Sequence, residues 1–207
     1  MYRFFIYSCF FTTLLACKKD NKTIDKETIF FQEETAKGNN IDKIDYETIF
    51  NNNLEYKSTS FDFPVGKPNA KGYYNAQKFT VNDHLGDDWN GLGGGNSDLG
   101  DTIYAISNGY VSEVKNYEGG WGNVITIVHS YKNKLYKSLY AHCDTIIAIE
   151  NKFVKRGEKI ATIGNCNGQY YAHLHLEIRD SIDLDIGAGY SKNTNGYLDP
   201  TLFIKNN

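Results

Sequence analysis

Apolar residues gather in six short runs across the second half of the chain, at residues 102–106, 110–114, 123–129, 135–142, 159–163 and 172–178. Each has the length of a strand, and turn-forming segments such as Ser107-Asn108-Gly109, Lys132-Asn133 and Arg156-Gly157 separate most of them. Helical periodicity is scarce, while glycine and aromatic residues are frequent. The rhythm predicts an all-β fold, an antiparallel β sheet or sandwich over residues 59–207, punctuated at its start by Pro64, Gly66 and Pro68.

Upstream the pattern changes twice. Residues 1–16 combine one cation, Arg3, with an apolar run through Phe4, Phe5, Ile6, Phe10, Phe11, Leu14 and Leu15. That run is short for a membrane span and has the layout of a signal-peptide core. Leu14-Leu15-Ala16-Cys17 resembles the bacterial lipoprotein box, in which the cysteine is acylated and becomes the mature N-terminus. Residues 17–58 are rich in Lys, Asp, Glu, Asn and Thr, with too few apolar positions to offset the entropy of ordering, and are expected to form a polar tether. Within them Glu27-Thr28-Ile29-Phe30 recurs as Glu47-Thr48-Ile49-Phe50. Two copies of four residues make no repeat architecture, so the recurrence reads as chance rather than as two amphipathic helices packed on the domain.

Composition fits this division. Apolar residues are 41% and aromatics 14% of the 207, enough for one core of ordinary size with leader and tail to spare. The formal charge of −3, with no dense basic tract, argues against nucleic acid as a partner.

Candidate chemistry sits at five polar positions. A strand through His173-Leu174-His175 turns both imidazoles to one side, about 7 Å apart at a rise of roughly 3.3 Å per residue. One suits a metal ligand and the other a neighbouring base, and the spacing alone leaves the assignment open. In an extended His84-Leu85-Gly86-Asp87-Asp88, His84 and Asp88 share a face while Asp87 points away. The glycine-rich stretch at residues 90–101 has no phosphate-loop lysine and no following helix, and reads as the rim of a cleft. Cys143 and Cys166 lack the paired spacing of a zinc-thiolate site and read as free thiols rather than a disulfide.

Three separated motifs, His84-x-x-x-Asp88, Leu139-Tyr140-Ala141-His142 and His173-Leu174-His175-Leu176-Glu177, resemble in order and spacing the signature set of the lysostaphin/LytM-type zinc metallo-endopeptidases. Gly100-Asp101-Thr102-Ile103-Tyr104-Ala105 and Gly120-Trp121-Gly122-Asn123-Val124 match as well, and the resemblance covers residues 64–204. It implies a compact antiparallel β fold with zinc in a groove, and cleavage of cross-links or stem peptides of bacterial peptidoglycan. It further implies that His84, Asp88 and His175 hold Zn2+ and that His142 and His173 are catalytic. Three protein ligands leave an open position for water, acidified towards a pKa of about 7. A nearby imidazole can take its proton, orient it, or donate to the oxyanion and the leaving amine. Joined to the lipoprotein box, the resemblance implies a lipid-anchored protein of the cell envelope facing the periplasm or exterior, with peptidoglycan peptides and the membrane as partners.

Two rivals stand beside this reading. Some relatives of the family lack ligands and act as non-catalytic activators or scaffolds for other wall enzymes, whereas here all five polar positions are filled. A lipoyl-like carrier, suggested by Gly109-Tyr110-Val111 and Val154-Lys155-Arg156-Gly157-Glu158, has no lysine hairpin to modify and leaves the histidines unexplained. Among lesser positions, His129 has no motif partner and is expected at the surface or packed. Asp144 is expected to cap its loop, and Glu177 to back the histidine pair if the strand continues. Trp89 and Trp121 are expected in the core or at the groove rim, and residues 66–79 could cover the groove as a flap.

Overall fold

The computed structural model describes residues 44–207; the predicted leader, Cys17 and the first Glu-Thr-Ile-Phe tetrapeptide lie outside the described residues. Among the described residues no helix is long and apolar enough to cross a membrane. The strands in chain order are β1 (Tyr73–Gln77), β2 (Asp87–Gly91), β3 (Thr102–Tyr104), β4 (Gly109–Asn116), β5 (Asn123–Tyr131), β6 (Lys134–Ile146), β7 (Phe153–Val154), β8 (Lys159–Ile163), β9 (Leu174–Arg179) and β10 (Tyr197–Leu198). All pairings are antiparallel, and the main path runs β1-β2-β9-β6-β5-β4-β7. The six apolar runs correspond to β3, β4, β5, β6, β8 and β9. β1 and β2 escape the pattern because Tyr-Tyr-Asn-Ala-Gln and Asp-Asp-Trp-Asn-Gly carry little apolar alternation, and β7 and β10 are only two residues each.

β9 lies at the centre, bonded to β2, β6 and β10. Its alternation puts Leu174, Leu176 and Ile178 into the main core with Ile125, Ile127, Tyr140 and Ile163. His175, Glu177 and Arg179 take the other parity, yet all three are buried. A smaller cluster of Val124, Leu139 and Ala141, packed with Trp121 and Ile186, forms a second buried layer.

The sheet forks along β6. One edge of that strand pairs with β5 from Lys134 to Cys143; the other pairs with β9 through Ala141↔His175 and then with β8 from Cys143↔Ile163. His142 stands at the fork with φ +61, beside a register shift against β5. Such a bulge re-aims one side chain out of the strand's alternation.

Residues 45–58, assigned by composition to the tether, belong to the folded domain. Asp45 caps helix α1 (Tyr46–Asn51) by accepting from Thr48 N at 3.1 Å. Phe50 is fully buried and meets Phe153 edge-on, while Tyr56 stacks on the same ring at 4.3 Å. Two aromatic residues packed on the one ring of Phe153 carry this segment, which average polarity conceals. The second tetrapeptide copy is therefore a packed amphipathic turn. Helix α2 (Pro200–Asn206) ends the chain, with Phe203 against Phe61 and Thr201 donating to Asp87.

Candidate metal centre

β2 and β9 set Asp88 directly opposite His175, and His84 reaches the same point from an extended residue just before β2. His175 Nδ1 lies 2.9 Å from Asp88 Oδ1 and 3.0 Å from His84 Nε2, and His84 Nε2 lies 3.3 Å from the same carboxylate oxygen. Among the described residues these three form the group able to hold a metal ion. Ligands about 2.0–2.1 Å from a tetrahedral zinc stand roughly 3.3 Å apart, so the triangle fits that ion with slight expansion. Two imidazole nitrogens and a carboxylate oxygen converge on one point, a set suited to a cation.

Electrostatics point the same way. Burial alone would raise the Asp88 carboxyl, but hydrogen bonds from His175 and His84 outweigh it and hold the group well below the usual range. Burial alone would lower His175, yet hydrogen bonds to Asp88 and Glu177 raise it to about 9. Glu177 Oε1 accepts from His175 Nε2 at 3.2 Å, which leaves Nδ1 facing the cluster. Arg179 in turn binds Glu177 at 2.5 Å and donates to the carbonyls of Leu184, Asp185 and Ile186. The backing partner of the ligand is thus tied to the loop that leads to Gly189 and Tyr190.

A groove of about 480 Å3 opens over the cluster, lined by Asp88, His142, His173, His175, Trp121 and Tyr190 among others. The rings of His142 and His173 are 4.6 Å apart, and His142 is 5.8 Å from His175. His173 Nδ1–H donates to Tyr171 O at 2.8 Å, so its Nε2 is the free nitrogen. Burial, with repulsion from His173 and His175, lowers His142 to about 3 and keeps it neutral at ordinary pH.

Four of the five predicted positions therefore line one groove, and His84 lies buried beneath it against Asp88 and His175. Asp87 points away, accepting from Phe79 N and Thr201, as alternation requires. Glu177 stands behind His175, whereas Asp144 bonds its neighbour Thr145. Trp121 packs edge-on against His175 at the rim, and Trp89 is buried in the core. Asn90 and Asn96 of the glycine-rich loop border a depression beside His173. Residues 66–79 lead into β1, which hydrogen-bonds β2 as an edge strand and brings Gln77 to the groove. Cys143 and Cys166 are free thiols. Arg179, Tyr170 and Tyr190 were missed: an arginine two residues past Glu177 on one strand face was a readable signal, and the tyrosines carried none.

Comparison with known proteins matches residues 89–193, half of the chain, to the family described as Peptidase family M23. The chain belongs to peptidase family M23. An 80-residue stretch, 39% of this chain, is 45% identical to Lipoprotein NlpD of Yersinia enterocolitica, covering 78% of that protein. Over 80 residues the chain is also 44% identical to Murein hydrolase activator NlpD of Escherichia coli (strain K12) and 35% identical to Peptidoglycan DD-endopeptidase ShyB of Vibrio cholerae serotype O1. It covers only 20% and 18% of those two longer proteins. Among solved structures, CbpA from L. salivarius REN is similar in fold at TM-score 0.52 and 23% identity, covering 71% of this chain and 95% of that one. The M23 fold accounts for the antiparallel network and for the groove at its fork.

Proposed function

We propose that this M23 protein is a zinc-dependent endopeptidase that hydrolyses peptide bonds in bacterial peptidoglycan. The observation that carries the reading is the convergence of His84, Asp88 and His175 into a cation-sized triangle with His142 and His173 lining the same groove. Bound zinc supplies Lewis acidity and a water acidified towards neutral pH. The chain's own groups do the rest. His142, neutral and buried, accepts the proton of the attacking water, and its low resting affinity rises as negative charge develops beside it. His173, its Nδ1–H committed to Tyr171 O, orients the nucleophile or, once protonated, donates to the oxyanion. Trp121 and Tyr190 wall the groove, exclude water and position an extended peptide.

Purified protein incubated with cell-wall sacculi should release peptides whose new termini, read by mass spectrometry, identify the bond. Absence of any new terminus with zinc-loaded protein overturns the reading. The activator named among the relatives favours a second reading, in which the domain stimulates another wall hydrolase. That role predicts equal stimulation by the native protein and by His142→Ala. The lipoprotein relative supports acylation at Cys17 and a place in the cell envelope. Cys17→Ser should then lose fatty-acid labelling and membrane partition together, and unchanged labelling refutes it.

A further inference from the structure

His173 and His175 each have one ring nitrogen committed to an oxygen of the protein, which sets the role of the other. His142 is engaged by the Trp121 backbone and, in addition, by a thiol. Its Nδ1 lies 3.4 Å from Cys166 Sγ, and the same sulfur lies 3.6 Å from Gly120 O. A carbonyl oxygen can only accept, so the S–H goes to Gly120 and the sulfur is left to accept from Nδ1–H. The local backbone is shaped for this contact. Cys166 has φ +50, and Gly122, at φ +58, would carry a Cβ only 3.0 Å from the sulfur. A side chain at Gly122 would displace the thiol from the ring.

We propose that Cys166 is a positioning residue for His142, its thiol relaying between Nδ1–H and the Gly120 carbonyl so that Nε2 presents its lone pair to the groove. Cys166 lines neither the groove nor the cation triangle and acts only through the imidazole. Burial raises the Cys166 thiol, which favours the S–H form that the relay needs. The kinetic consequence rests on the endopeptidase reading, whereas the tautomer does not.

The test is the histidine tautomer, read from long-range proton–nitrogen correlations on full-chain protein with 15N-labelled histidine, loaded with zinc. Native His142 should carry its proton on Nδ1, and a proton on Nε2 overturns the proposal whatever the variants do. Cys166→Ala should shift His142 towards the Nε2–H form and lower kcat roughly 10- to 100-fold, with KM and zinc content unchanged. Cys166→Ser, which keeps a donor and an acceptor, should restore the native tautomer and most of kcat. An unaltered tautomer and kcat in Cys166→Ala refute the relay. Native protein without any peptidase activity refutes the endopeptidase reading instead and leaves the tautomer to decide the role of Cys166.

Discussion

The two walls of the groove are built in opposite ways. On the ligand wall, β2 and β9 hold Asp88 and His175 in register, and a buried chain of polar contacts runs from His175 to Glu177 to Arg179, while His84 Nδ1 is buried without a hydrogen-bond partner among the described residues. On the fork wall, His142 sits at a bulge with φ +61, His173 sits just before β9, and Cys166 lies in a turn. The first wall is mostly regular sheet and largely buried, with Asp88 open to the groove. The second is irregular backbone, partly open to solvent. Binding a cation needs fixed convergent charge, whereas moving a proton to a substrate needs an atom that solvent and peptide can reach.

If that division holds, the largest effects belong to the ligand wall. His84→Ala, Asp88→Ala and His175→Ala should each lose zinc and peptidase activity together, since each removes one of three protein ligands. Metal analysis of the purified variants checks this, and full zinc occupancy in His175→Ala would break the comparison at its base. On the fork wall, His142→Ala and His173→Ala should keep zinc and lose roughly 100- to 10,000-fold in turnover. Zinc loss in His173→Ala with retention in His175→Ala would exchange the roles of the pair.

A third change tests whether the ligand wall owes its order to the pair behind it. Arg179 is 1% exposed and Glu177 fully buried, so Arg179→Ala leaves Glu177 Oε2 without its guanidinium partner and frees the Leu184–Ile186 carbonyls. Breaking such a pair costs about 3–5 kcal/mol, and the loss of support should weaken zinc binding roughly 10- to 100-fold. Denaturant unfolding and chelator competition measure the two separately. Arg179→Lys should recover little, because one ammonium cannot replace a planar fork with three backbone acceptors. Native zinc affinity in the alanine variant would show that Glu177 orients His175 unaided.

The contrast between walls also explains what the sequence could reveal. Alternation alone put His84 with Asp88, turned Asp87 away and aligned His173 with His175, because these segments are extended. His142 could be linked to the site only by its resemblance to a motif: its approach depends on β6 exchanging β9 for β8, a non-local event with no mark in the local pattern. Its thiol partner was hidden for the same reason, since Cys166 and His142 meet across a fork. The strands β1 and β2 were missed because their residues are polar. The α1 segment was lost in a polar average even though Phe50 is fully buried.

His129 supplies a control for what burial alone does to a histidine. Like His142 it is buried and lowered, in its case to about 4, chiefly by desolvation. It lines no groove. Its Nδ1–H donates to Asn108 O at 2.7 Å, and Nε2 lies 2.7 Å from Ser138 Oγ, which is 3.2 Å from the Tyr140 hydroxyl. That hydroxyl oxygen accepts from Ile106 N at 3.0 Å. The fold thus holds His129 neutral, while the unfolded chain protonates it near its ordinary pKa of about 6.5. The unfolded state then binds more protons between those two values, so this contribution to stability is full above about pH 6.5 and fades as pH falls towards 4. Between pH 7.5 and 4.5 the native protein should lose about 2–3 kcal/mol more unfolding free energy than His129→Gln, whose amide does not titrate. Equal losses in the two proteins would mean that His129 takes up its proton inside the fold, and that burial alone does not keep a histidine of this sheet neutral.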